Sequence, residues 1–273
     1  MRSGLARAEP KPMQRTRRLW GPAARLTSED QAKTLADRAY HRIREDIIRG
    51  VHAPQERLQP ELLRERYDIG LSPIREALSR LALDGLAVAE SQRGFFVAPV
   101  SKAELLDLAD LRIRFAVLAL KRAIRHGDDQ WETGIVTTYY QLNKLERQIE
   151  ADPSLGDEWE RRNRAFHSAI EAGCGSPWLL HFCGILYDQL ERYRRLFVAR
   201  HRFDPGSIAE HRELMQRTLA RSPRACGILA KHFRHASEVI MQAIDEQSAN
   251  GTGPKPLLSD ASRTPKNKLR LHL

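Results

Sequence analysis

From Thr34 onward the apolar positions fall into helical and then strand-like periods, and their order predicts an architecture. Ala36, Tyr40, Ile43 and Ile47 recur at helical spacing up to Gly50, and Thr34 with Asp37 three residues on reads as a capping box. A short second helix is predicted over Pro60 to Tyr67, closed near Asp68-Ile-Gly70. Ser72-Pro73 is the expected cap and first-turn pair of a third helix, in which Ile74, Ala77, Leu78 and Leu81 form a buried stripe before Gly85. Leu86 to Ala89 and Phe95 to Ala98 are β-prone runs joined by Ser91-Gln-Arg-Gly94, which predicts a hairpin. Helix, helix, helix, hairpin is the plan of a winged helix-turn-helix, expected over residues 34–100.

The pattern changes after Val100. Ser101 with Glu104 forms a second capping box, and everything beyond it has helical period. Helices are predicted over 102–126, 128–151, 157–172, 177–201, 207–220 and 223–246, separated by Gly127, Pro153, Gly173, Ser176-Pro177, Pro205 and Ser222-Pro223. The fold class is therefore mainly α: a winged helix-turn-helix followed by an all-α bundle over 101–246.

Composition narrows the class. The 41% hydrophobic residues of this 273-residue chain suffice for a real core, which excludes a disordered protein. The longest apolar runs, such as Phe115 to Leu120, are far below the roughly 18 residues of a membrane span. The arginine-rich N-terminus has no apolar segment behind it, so no secretory signal is expected, and Cys174, Cys183 and Cys226 lack C-x-x-C spacing and suit reduced thiols in the cytoplasm.

The net charge of +10 looks like a nucleic-acid signal but sits in the ends: residues 1–33 carry 8 Lys and Arg against 3 Asp and Glu, and residues 247–273 carry 5 against 1. Both segments are expected to be basic disordered tails. Residues 34–100 hold 10 basic and 10 acidic residues, so any claim of DNA binding has to come from a local motif.

That motif is the third helix. With its apolar stripe turned inward, the opposite face presents Ser72, Arg75, Glu76, Ser79 and Arg80. Arg75 lies in the first turn, where a recognition helix meets base edges and a guanidinium can hold guanine through two hydrogen bonds. Ser72 and the free N–H groups of the helix end suit a phosphate. A three-helix module with a solvated charged face has the same periodicity, so periodicity alone leaves both readings open.

A second constellation lies in the bundle. Asn163 and His167, four residues apart, share one helix face. His211 lies ten residues before Arg221 and His232 nine after Pro223, so on a helical hairpin each stands about 14–15 Å from the turn, at one height. Three imidazoles and an amide oxygen facing inward make an open site for zinc, nickel or manganese. Polar residues at a domain surface are the alternative. Tyr193 and Arg194, on the helix after His167, are candidates to complete an effector pocket, and an ordinary amphipathic surface pair is the other reading.

Leu71-Ser-Pro-Ile-Arg-Glu-Ala-Leu78, followed by Leu81-Ala-Leu-Asp-Gly-Leu86 and Arg93-Gly94, resembles the signature of the GntR family of bacterial transcription regulators. The resemblance implies that Ser72, Pro73, Arg75, Arg93 and Gly94 contact operator DNA. Leu71 replaces the family's usual basic residue, Gly70 its serine, and Pro54-Gln55 its Pro-Gly turn. The N-x-x-x-H pattern at Asn163 and His167, with Ala225-x-x-x-Leu229-x-x-His232, resembles the FCD effector domain of the FadR subfamily. That resemblance implies a divalent metal on Asn163, His167, His211 and His232, with Asn163 standing where the family has Asp, and a small organic acid beside it. It also implies Arg112 as a ligand for an effector carboxylate, next to Ala116 in place of the family's glutamate.

The run from Asp157-Glu-Trp159 through Ala172-Gly-Cys-Gly-Ser176 resembles carbon-starvation repressors linked to glutarate and 2-hydroxyglutarate. The expected protein is a homodimeric, ligand-responsive repressor on a pseudo-palindromic double-stranded operator, with no membrane partner. A metal hydrolase using the three histidines is the main alternative, but no H-E-x-x-H, G-x-S-x-G or Gly-rich phosphate loop accompanies them. A helical adaptor without operator or ligand is the third reading.

Overall fold

The computed structural model describes residues 34–149, 151–198 and 205–250. The predicted tails therefore lie outside the described residues, except that 247–250 are helical.

The N-terminal unit contains α1 (Leu35–Ile48), β1 (Arg57–Leu58), α2 (Pro60–Tyr67), α3 (Leu71–Leu83), β2 (Ala87–Glu90) and β3 (Gly94–Val97). The predicted cap of α1 is present: the Thr34 hydroxyl accepts the Asp37 N–H at 3.1 Å, satisfying one unpaired donor of the first turn. Ala39, Tyr40 and Ile43 of α1, Leu63 of α2 and the Ile74, Ala77, Leu78 and Leu81 stripe of α3 close one core.

Two expectations need correction here. The cap of α3 is Gly70, whose carbonyl accepts the Ile74 N–H at 3.2 Å, so Ser72 and Pro73 are inside the first turn. Proline is tolerated there because first-turn N–H groups have no acceptor within the helix. The expected hairpin of β2 and β3 is present, with Glu90 opposite Gly94, but a third strand extends it into a sheet of order β1-β3-β2, in which Arg57 lies opposite Phe96. A two-residue strand is too short to show an alternating pattern, which is why β1 was missed.

The bundle comprises α4 (Lys102–His126), α5 (Asp129–Glu146), α6 (Gly156–Ala172), α7 (Pro177–Phe197), α8 (Pro205–Leu219) and α9 (Arg224–Asn250), with a 3-10 turn at Pro153–Leu155. Side-chain oxygens of Ser101, Asp128 and Ser176 cap α4, α5 and α7. α4 packs against α9 and α7, α5 against α6 and α8, and α8 against α9. Leu120, Ile135, Phe166, Ile170 and Leu229 lie in the main core, while Val100, Leu105, Phe197 and Ile244 form a smaller one near the junction with the N-terminal unit.

The two units meet along α7. Asp188 pairs with Arg44 of α1 and with Arg164 of α6, Gln189 Nε2 donates to the Asp84 carbonyl at 2.9 Å, and Arg192 donates to the Pro99 carbonyl at 2.6 Å. No helix among the described residues is long and apolar enough to cross a membrane.

Candidate functional site

The face of α3 expected to meet nucleic acid is the one left outside by the burial of Ile74, Ala77, Leu78 and Leu81. Ser72, Arg75, Glu76 and Ser79 are exposed, and Arg75 is 65% exposed, with the Glu61 carboxylate 3.8 Å away. Arg80 is spoken for: its guanidinium pairs with Asp37 at 2.7 Å and stands 4.5 Å over the Tyr40 ring, so it braces α3 against α1. At the wing tip Gly94 has φ +95, a left-handed conformation that favours glycine, and Arg93 beside it pairs with Glu90. Arg75 and Arg93 are thus presented outward on an α3 edge and a hairpin tip.

The bundle site is built on α6, α8 and α9. His167, His211 and His232 are all buried, and one ligand atom from each lies within 4.8 Å of the others. Asn163, one turn before His167, donates through Nδ2 to the Tyr187 hydroxyl at 3.1 Å, while its Oδ1 is buried without a hydrogen-bond partner. Both ring nitrogens of His167 and Nε2 of His211 are also buried without a partner. Buried polar atoms are seldom left so, and four of them on neighbouring side chains fit a cation as the missing partner.

Two carboxylates that the sequence reasoning missed complete this centre. His211 Nδ1 lies 2.8 Å from Glu146 of α5, and His232 Nδ1 lies 2.9 Å from Glu210 of α8. A carboxylate on one ring nitrogen fixes the tautomer and leaves the other nitrogen as the donor to a metal. Burial, then His232 and His211, push the His167 pKa well below its ordinary value. His232 is pushed down as well, mainly by burial. Both shifts favour the neutral imidazole, the form that ligation requires.

The histidines and Asn163 form the inner end of a cavity of about 260 Å³. Arg194 lines it, held by Glu160 with Nε to Oε1 at 2.7 Å. The other two proposed effector residues lie elsewhere. Tyr193 is fully buried beside Ser101, whose N–H donates to its hydroxyl at 2.8 Å, and it also contacts Glu104. Adjacent residues of a helix point about 100° apart, so Arg194 faces the cavity and Tyr193 the start of α4. Arg112 is 2% exposed, pairs with Glu171 at 2.7 Å and lines a separate small cavity with Cys183. Its guanidinium stacks over Phe233 at 4.7 Å and over Tyr187 at 5.6 Å, so it reaches the histidines through its field and not by contact.

An outward-facing third helix and wing are joined to a helical bundle with a histidine-lined cavity, the layout of a two-domain DNA-binding regulator. Residues 35–97 match the bacterial regulatory proteins of the gntR family, and residues 107–235 match the FCD domain. The uncharacterized HTH-type transcriptional regulator BphR of Paraburkholderia xenovorans is 37% identical over 77% of this chain and 86% of its own. The HTH-type transcriptional repressor GlaR of Escherichia coli is 37% identical over 75% of this chain and 95% of its own. Among solved structures, Escherichia coli McbR/YncC superposes with a TM-score of 0.66 at 19% identity, covering 78% of this chain and 100% of that one. The chain belongs to the GntR family of bacterial transcriptional regulators, in the branch with an FCD domain; it is a regulator and not an enzyme.

Proposed function

We propose that this protein is a cytoplasmic repressor that binds a pseudo-palindromic operator as a homodimer and responds to a small carboxylic acid, in the class of glutarate and 2-hydroxyglutarate, at a divalent metal centre. The observation that carries this reading is the convergence of unpartnered donor atoms from Asn163, His167 and His211, with His232, at the inner end of a cavity that also holds Arg194. Zinc suits three imidazoles best, with nickel and manganese as alternatives. When bound, a divalent ion supplies an open position for a carboxylate oxygen.

The chain's own residues do the rest. Tyr187 orients the Asn163 amide, Glu146 and Glu210 orient His211 and His232, and Arg194 offers a charge-assisted hydrogen bond to the entering carboxylate in competition with Glu160. α7 carries Arg194 toward the cavity and Asp188 and Arg192 toward the winged helix. A change of packing at α7 alters the spacing of two recognition helices and thereby operator affinity.

Dimer formation is supported by an apolar face on α4 and α7: Phe115 and Phe182 rings lie 6.0 Å apart, and Trp178 beside them is 61% exposed. A second copy is the occupant that a two-fold operator requires.

Fluorescence anisotropy on genomic fragments, at fixed salt with and without each acid, tests the reading. Sequence-dependent binding that one acid weakens is expected. Binding to every fragment no tighter than to random DNA would overturn it.

A further inference from the structure

The cavity has a second end, and the effector domain does not build it alone. Asn163, Glu160 and Asp157 stand at intervals of three along one face of α6, so Asp157 is about 9 Å from Asn163 along the axis. Asp157 also lines the cavity, and there its carboxylate lies between two guanidiniums. Arg195 of α7 reaches Oδ1 at 2.6 Å, and Arg49 reaches Oδ2 at 2.9 Å. Arg49 is the C-terminal cap of α1, in the DNA-binding domain, and it too lines the cavity.

Its position is set by the turn behind it. Gly50 has φ +75, and a Cβ there would lie 3.0 Å from Leu196 of α7, so the end of α1 is seated closely on the helix that walls the cavity. The Arg49–Asp157 pair is itself weakly held. The two side chains are 36% and 44% exposed, and ion pairs in that environment contribute little and exchange partners readily. An anion entering the cavity therefore meets Arg194 toward the histidines and Arg195 with Arg49 at the mouth.

We propose that Arg49 makes the DNA-binding domain one wall of the effector site and reads the second carboxylate of a short dicarboxylate, in competition with Asp157. The inference rests on the carboxylate-sensing reading above and deepens it. A carboxylate held near the histidines and Arg194 places the far carboxylate of a diacid at Arg195 and Arg49, whereas a monoacid leaves Asp157 in possession of both. The diacid thus draws on a contact across the domain boundary, and its binding energy depends on how the winged helix is seated. By reciprocity, operator binding must change diacid affinity by the same factor by which the diacid changes operator affinity.

The test uses the zinc-loaded full-length protein, with glutarate and pentanoate as probes of equal chain length and one carboxylate difference. Calorimetry gives their affinities, and anisotropy on a selected operator gives the change in DNA affinity each produces. The wild type is expected to prefer glutarate by at least about tenfold, the scale of one charge-assisted contact. Arg49→Met is expected to lose most of that preference and most of the glutarate effect on operator affinity, with Arg49→Lys in between. Asp157→Asn, which removes the competitor, is expected to bind glutarate several-fold tighter.

Wild-type preference and coupling retained in Arg49→Met, or unchanged glutarate affinity in Asp157→Asn, overturns the inference and leaves the carboxylate-sensing reading standing. A wild type that binds neither acid, and whose operator affinity responds to neither, overturns both.

Discussion

Arg75 and the buried histidines occupy opposite regimes of solvent, and their predicted effects differ accordingly. Arg75 is exposed and makes only a 3.8 Å contact with Glu61, so it is available for a base edge. Arg75→Ala is expected to cost about 1–3 kcal/mol of specific operator affinity while non-specific binding changes little, as read by anisotropy against operator and random duplexes. His211 and His232 are enclosed, and their carboxylate partners are as informative as the rings. His211→Ala or His232→Ala is expected to abolish metal retention, measured by elemental analysis after dialysis, with DNA binding in the absence of acid largely preserved. Glu146→Gln keeps the shape and removes the charge that orients His211, and it is expected to weaken metal binding about 10–100-fold. That Asn163 and His167 share a helix face, and that Arg75 lies outward on α3, were legible in sequence because each follows from helical period, while the roles expected of them came from the family resemblance. Glu146 was not, because its meeting with His211 spans 65 residues and depends on how α5 packs against α8.

At the scale of elements, α7 matters most, since it holds both domains. Asp188 is buried between Arg44 and Arg164. Burial works to raise its pKa, and the two guanidiniums outweigh it, so the carboxyl is held below its ordinary value of 3.8. A folded-state pKa below the unfolded one contributes stability that is fully present above the unfolded value and lost as pH falls through the folded value. Asp188→Asn is therefore expected to lower stability by about 3 kcal/mol at neutral pH, the lower end of the cost of breaking a buried ion pair, because Arg44 loses its carboxylate while Arg164 keeps Glu191 at 3.5 Å. The gap between wild type and variant in thermal unfolding should close in acid, below the ordinary carboxylate range; a constant gap from pH 7 downward would remove this assignment.

The same helix explains an error of sequence reading. Tyr193 and Arg194 are neighbours in the chain, yet one caps the junction at Ser101 and the other enters the cavity. Helix boundaries were predicted within a few residues wherever Ser, Asp or Pro marked them. The gaps came where no such residue stands, as at the end of α5, placed at Glu146 and not at 151.

For the whole molecule the central expectation is two copies on one operator. Phe182→Glu, on the exposed aromatic face shared with Phe115 and Trp178, is expected to convert a dimer to a monomer in light scattering. Operator affinity should fall with it, because one recognition helix then binds where two did. A dimer that survives this change would move the interface to another face.

What the sequence determined by itself was set by near neighbours, although not every local feature was legible: the cap of α3, the two-residue β1 and the end of α5 were not. The caps at Thr34 and Ser101, the inward stripe of α3 and the shared helix face of Asn163 and His167 are fixed by backbone geometry within one or two turns. Tertiary structure decided which distant groups share a space. It brought Glu146 to His211, turned Arg112 toward Glu171, held Arg80 on Tyr40 and carried Arg49 from the DNA-binding domain to the histidine-lined cavity. Those outcomes depend on packing angles between helices far apart in the chain, which no local periodicity encodes.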